Sequence, residues 1–166
     1  MEAELERLHP HSFGWALACC RRDRQEAEEV LQATYLKVIE GNARFDGRSS
    51  LKTWLFGVIR RTASEHRRRV WMRQLLSGVL ARQPRPPACE TPEASLGASE
   101  GHAHVSAGLA SLSPRQREAL ELVFYHDLSI AEAAVVMGVS VGSARQHYER
   151  GKRNMREALL ARGATP

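Results

Sequence analysis

Arginine and glutamine are the side chains best shaped to bond base edges and phosphates, and they cluster twice in this chain of 166 residues. One cluster is Arg145, Gln146, His147 and Arg150, followed by Lys152, Arg153 and Arg156. Its first members suit paired hydrogen bonds to bases, and the later ones suit phosphates. The other runs from Arg60 to Arg73 and holds six arginines (Arg60, Arg61, Arg67, Arg68, Arg69, Arg73) against Glu65 alone. Beside it, Asn42–Ser50 combines amides, arginines and an aromatic, the groups that hold an unstacked base. Within that loop Asn42, Arg44 and Ser49 are the better contact candidates. Phe45 and Trp54 fall in phase with an apolar rhythm and read as core. A third charged stretch has the opposite sign: Asp23, Glu26, Glu28, Glu29 and Glu40 against Arg24 and Lys37. The formal net charge of +5 therefore conceals two basic blocks and one acidic block.

Other reactive side chains form no recognisable centre. Cys19 and Cys20 with His9 and His11, and Cys89 with His102 and His104, lack the paired spacing of a zinc site. The cysteines read as small core residues, with redox or metal sensing as the alternative. No nucleophile–base pairing, phosphate loop or carboxylate pair stands out, so neither an enzyme nor a cofactor is expected. Three cysteines make no disulfide framework, which points to the reducing cytoplasm. The uncharged run Leu8–Cys20 is too short to span a bilayer, and the acidic Met1–Glu6 start is the wrong flank for a secretory signal.

The elements that must carry these side chains are helical. Ala27, Val30, Leu31, Thr34, Tyr35, Val38 and Ile39 follow the stripe of an amphipathic helix that stops at Gly41-Asn42. After a loop with Gly47 as its flexible point and Ser49 or Ser50 as cap, the rhythm returns at Leu51, Trp54, Leu55, Val58, Ile59, Thr62 and Ala63. Phe13, Trp15, Leu17 and Ala18 allow a further helix upstream. No stretch alternates long enough for a sheet. From about Ser77 to Gly108 the pattern fails among Pro84, Pro86, Pro87 and Pro92, the composition of a tether. Periodicity resumes at Leu109. Ser113-Pro114 marks a helix start, with Leu120, Leu122, Val123 and Phe124 filling that helix. Ser129 then caps a short helix with Ile130, Ala133, Ala134 and Val136 inward. Met137-Gly138-Val139 turns, and Ser140 caps a helix from Val141 to about Arg156, with Val139 and Ala144 packed inside. Arg145, Gln146, His147, Glu149 and Arg150 then face out. Two short helices on such a turn are a helix-turn-helix, whose second helix fits a major groove.

The expected architecture is all-α: a helical domain over 1–75, a flexible linker over 76–107 and a helix-turn-helix domain over 108–162. The motifs resemble a known family. Glu26–Val38, Arg44–Phe56 with its Arg-Phe-Asp-Gly-Arg-Ser-Ser start, and Arg60–Arg69 look like region 2 of an extracytoplasmic-function sigma factor. Leu112–Leu120, Leu128–Ala134 and Met137–Gly151 look like region 4. The resemblance implies core RNA polymerase binding by Glu26, Glu28, Glu29 and Gln32. It implies opening of the minus-ten promoter element, with a base flipped out, by Asn42, Arg44, Ser49, Ser50, Lys52, Arg60 and Arg61. It assigns reading of the minus-thirty-five element to Ser143, Arg145, Gln146, His147, Arg150 and Lys152. The partners implied are core polymerase, promoter DNA and an anti-sigma factor, without membrane insertion. Three positions depart from the family pattern: Ala33 replaces a customary acid, Arg61 a customary Asn, and His147 a usually basic residue. A helix-turn-helix regulator with an N-terminal dimerisation or sensing domain is the rival reading, and a DNA strand-transfer or nuclease enzyme is a second.

Overall fold

The computed structural model describes residues 2–76, 108–109 and 111–161, and every element among them is helical. The chain forms two compact units, Met1–Cys89 and Glu90–Pro166. The tether expected over 76–107 lies outside the described residues, apart from its first, Leu76, which closes a helix. Cys89, His102 and His104 also lie outside them.

In the first unit, α1 (Glu2–Cys19), α2 (Arg24–Ile39) and α3 (Leu51–Leu76) pack pairwise against one another. Their apolar stripes meet in a core of Trp15, Ala27, Val30, Leu31, Leu55, Phe56, Val58 and Ile59. Trp15 stacks on Phe56 at 5.8 Å and its indole N–H donates to the Phe56 carbonyl at 3.0 Å, so the buried ring leaves no donor unpaired. Helix α1 begins well before its apolar rhythm and carries Pro10 in its interior. Ile39, expected on the apolar stripe of α2, is 79% exposed because it stands in the last turn, beyond the reach of α3's packed face. Gly41 ends that helix with φ +73, a left-handed conformation that a side chain would strain.

The α1–α2 corner is tight. Arg21 and Arg22 both take left-handed φ, 55° and 65°. The Cys20 amide donates to the carbonyls of Ala16 and Leu17, the Arg22 amide to Leu17, and the Asp23 amide to Cys20. Asp23 then caps α2 by accepting from the Glu26 amide at 2.9 Å.

In the second unit, α4 (Pro114–Leu120) runs into a π-turn over Glu121–Tyr125, followed by α5 (Ile130–Met137) and α6 (Val141–Leu160). Helix α4 packs on α5 and α6, and α5 packs on α6. Gly151 permits the closest approach, since a Cβ there would stand 3.2 Å from the Gln116 carbonyl and from Leu120. Leu120, Leu122, Ala133, Ala134, Val136 and Ala144 are buried as expected, and Met137, assigned to the turn, is buried with them. Phe124 is not: the wide turn, closed by the Leu128 amide on the Leu122 carbonyl, slips the helical phase and leaves it 59% exposed. Ile130 and Val139 are half-buried rather than internal, being at the start of α5 and in the turn. Ser113 has the extended backbone of a cap and Pro114 follows it, but the Ser113 hydroxyl makes no capping bond.

Candidate nucleic-acid interface

The turn that sets up α6 is built from local chemistry. Ser129 and Glu132 form a reciprocal capping box at the start of α5. Gly138 ends α5 at φ 65, and Ser140 caps α6 by accepting from the Ser143 amide at 3.1 Å. On α6 the fully buried residues are the small pair Ala144 and Gly151, and Asn154 adds a bond to the Gln116 side chain of α4 at 3.1 Å. Arg145, Gln146, Glu149 and Arg150 are exposed as expected, whereas His147 is half-buried beside Tyr148 in the same turn. Among the described residues no ion pair holds Arg145 or Arg150, so both guanidinium groups face solvent with all their donors. Lys152 is differently placed: it pairs with Glu149 at 3.1 Å and lies 4.7 Å from the Tyr148 ring, which stacks obliquely on Phe124. The Ser143 hydroxyl is taken up in the cap, 2.9 Å from that of Ser140.

In the first unit the loop between α2 and α3 is folded on itself. Its Ala43 amide donates back to the Lys37 carbonyl, Asn42 bonds the Glu40 carboxylate at 2.9 Å, and Arg44 Nε reaches the Gly41 carbonyl at 3.3 Å. Asp46 accepts from the Arg48 amide at 3.2 Å and pairs with its guanidinium at 3.3 Å. Phe45 and Trp54 lean on each other at 5.4 Å and are both half-buried, so they anchor the loop and still show an edge to solvent. Ser50, and not Ser49, caps α3: its Oγ accepts from the Thr53 amide at 3.1 Å, while Ser49 Oγ donates to the Ser50 carbonyl at 3.3 Å. Asn42, Arg44 and Ser50 are exposed and Ser49 is half-buried. Lys52 lies 5.8 Å from the Phe56 ring and is half-buried, as is Arg60 one turn beyond the core; Arg61 is exposed.

The acidic helix presents Glu28, Glu29 and Gln32 outward, with Glu26 half-buried at its capped start. Arg24 pairs with Glu28 and Gln25 donates to Glu29 Oε1, which align the carboxylates along one face. Tyr35, on the side toward α1, lies 3.1 Å from His9 Nδ1, and burial raises its phenol above the ordinary 10.0.

Contacts between helices were not readable from the sequence blocks. Lys37 donates to Glu65 and to Thr62, His66 faces Glu29, and Arg67 donates to the Cys19 carbonyl at 2.7 Å. Part of the basic block thus holds the lobe together. The only advance signal was an acid, Glu65, inside a run of arginines. Cys19 is half-buried and Cys20 buried, and no group of three metal-ligating side chains occurs among the described residues. Nor is any described helix long and apolar enough to cross a membrane.

The family Sigma-70 region 2 matches residues 5–73, and Sigma-70, region 4, matches residues 105–155. A probable RNA polymerase sigma-C factor of Mycobacterium bovis is 33% identical over 147 residues, 89% of this chain and 75% of that one. The ECF RNA polymerase sigma factor SigX of Bacillus subtilis is 27% identical over 141 residues, covering 83% of this chain and 73% of its own. Among solved structures, the sigma factor RpoE of Bartonella quintana, crystallised with the anti-sigma factor NepR, superposes with a TM-score of 0.71 at 26% identity over 96% of both chains. With both region families in order along one chain and a relative this similar, the chain belongs to the extracytoplasmic-function sigma factors.

Proposed function

We propose that this chain works as an alternative sigma factor by dividing its surfaces among three tasks. The observation that carries this reading is the opposed charge of neighbouring helices in the first unit. Helix α2 exposes Glu28, Glu29 and Gln32, and α3 exposes Arg61, Arg68 and Arg69. A basic partner and DNA phosphates can therefore be held by one small lobe at once. In this reading Glu26, Glu28, Glu29 and Gln32 meet core RNA polymerase. Asn42, Arg44, Ser49, Ser50, Lys52, Arg60 and Arg61 bind the opening minus-ten element, and Arg60 and Arg61 act chiefly on phosphates. Ser143, Arg145, Gln146, His147, Arg150 and Lys152 face the minus-thirty-five element. Arg145, Gln146 and Arg150 read bases, since their donors face solvent, while Ser143 and Lys152 act through the cap and phosphates. The domain limits 1–75, 76–107 and 108–162 go with this division, the middle segment tethering two weak DNA contacts into one stronger one.

The chain itself carries no bond-making step; nucleotide addition belongs to the polymerase, and the place of action is the cytoplasm. An anti-sigma partner is proposed from the likeness to the Bartonella quintana protein. Run-off transcription with core polymerase, this chain and a library of genomic promoters tests the reading. Stimulated initiation at a defined subset is expected, and absence of both stimulation and core binding would overturn it. Changing Arg44, Arg60 and Arg61 together to Ala should impair promoter opening, read by permanganate footprinting, more than recruitment.

A further inference from the structure

Between Val141 and Arg156, helix α6 carries one acid, Glu149, among Arg145, Arg150, Lys152, Arg153 and Arg156. Its place on the helix is central. Buried Ala144 and Gly151 mark the side toward the scaffold, and steps of about 100° per residue bring Gln146, Glu149 and Arg153 to within about 30° of the opposite direction. Arg145 and Arg150 fall about 70° to either side, and Lys152 about 90° away. A carboxylate in the middle of a face that meets phosphates is repelled unless its charge is offset and a base donor receives it.

The second unit supplies the offset. Lys152 Nζ lies 3.1 Å from Glu149 Oε2, and the Glu149 side chain is 58% exposed. Lys152 is held in its turn, 4.7 Å from the centre of the Tyr148 ring, on which Phe124 leans at 5.7 Å. Phe124 is available for this because the π-turn displaces it from the core. A brace therefore runs from the π-turn through Tyr148 and Lys152 to one oxygen of the carboxylate. The other, Oε1, makes no bond among the described residues.

We propose that Glu149 is a specificity-determining residue whose Oε1 accepts a hydrogen bond from the N4 amino group of a cytosine in the major groove. The proposal rests on the reading of α6 as the helix that faces the minus-thirty-five element. A carboxylate only accepts, and the donors on the base edges of that groove are the amino groups of cytosine and adenine. In adenine the amino group stands beside the acceptor N7, which repels a carboxylate, whereas cytosine offers its donor with no acceptor next to it. The guanine of the same pair presents O6 and N7, which suit an arginine, and Arg145 and Arg153 each stand one helical turn from Glu149. One C·G pair is thus read by an acid and an arginine together.

The experiment lets holoenzymes, assembled from core polymerase and full-length chains, select from duplex promoters randomised across the minus-thirty-five element. Wild type, Glu149→Ala, Glu149→Gln and Arg150→Ala are compared, with melting curves to show that each is folded. Wild type is expected to prefer C·G at one position by about fivefold to tenfold, the lower end of what a single base pair carries. Glu149→Ala should lose that preference with the other positions unchanged. Glu149→Gln, which donates as well as accepts, should move it to A·T. If Glu149→Ala keeps the wild-type preference at every position, whether its overall affinity holds or rises, the carboxylate is only the partner of Lys152 and the proposal is wrong. The reading of α6 then stands on Arg150→Ala relaxing a position of its own. If the preference lost is for an A·T pair, the cytosine assignment is overturned. If neither Glu149→Ala nor Arg150→Ala changes the selected sequence, α6 is not the reading helix and the proposal falls with that assignment.

Discussion

Helices α3 and α6 both carry arginines toward solvent, yet they are held in opposite ways. Helix α3 buries large side chains, Leu55, Phe56, Val58 and Ile59, and ties itself to α1 and α2 with Glu65 and Arg67. Helix α6 buries only Ala144 and Gly151 and is fixed by its cap, by Gly138 and by close approach to α4. The first helix is therefore anchored by area and cross-links, the second by backbone geometry. The difference matches the proposed work: a helix that supports opening DNA must resist load, while a reading helix needs its donors left free.

Deleting a large side chain should separate the two lobes most sharply. Phe56→Ala removes a fully buried ring and the stacking partner of Trp15, at a cost of about 3–5 kcal/mol. The first lobe should melt early in a calorimetric scan while the second melts as in wild type; a joint shift of both would break the contrast. A smaller loss, specific to binding, is expected at the interfaces. Arg150→Ala should cost about 1–3 kcal/mol of promoter affinity and relax preference at one base pair. Arg61→Ala should weaken all sequences alike and lower the salt slope by about 1. Equal behaviour of the two variants in salt-dependent binding assays would erase the distinction between reading and holding. The smallest change is Ser129→Ala, which removes the capping box and should cost about 1 kcal/mol in the second lobe's unfolding, with the first lobe unmoved.

Much of the fold was legible because its signals are local. The stripe from Ala27 to Val38, the stop at Gly41, the caps at Ser129 and Ser140 and the turn at Gly138 depend on neighbours within one helical turn. The π-turn at Glu121–Tyr125 was not, since a wide turn has no composition of its own and shows only in the displaced Phe124. Ser113 misled for a related reason: residue type favours a cap, but here the hydroxyl is not used. In the candidate site, the basic and acidic stretches were legible as charge blocks, and exposure of Arg145, Gln146 and Arg150 followed from helical phase. The cross-links from Lys37 and Arg67 did not follow, because they depend on how α1, α2 and α3 lie against each other.

The α1–α2 corner carries one more consequence. Two left-handed residues in succession, followed directly by the Asp23 cap, leave no slack between the helices. Each residue of an α-helix advances by about 100°, so the corner acts as an indexing stop for the rotation of α2. One residue inserted between Cys20 and Asp23 would have to be absorbed as a bulge or would turn Glu29 off the outer face and bring Ala27 and Leu31, both buried, into the places of Glu28 and Gln32. Drift in this lineage should therefore favour glycine or asparagine at Arg21 and Arg22 and avoid β-branched residues there, while the count of residues in the corner stays the same.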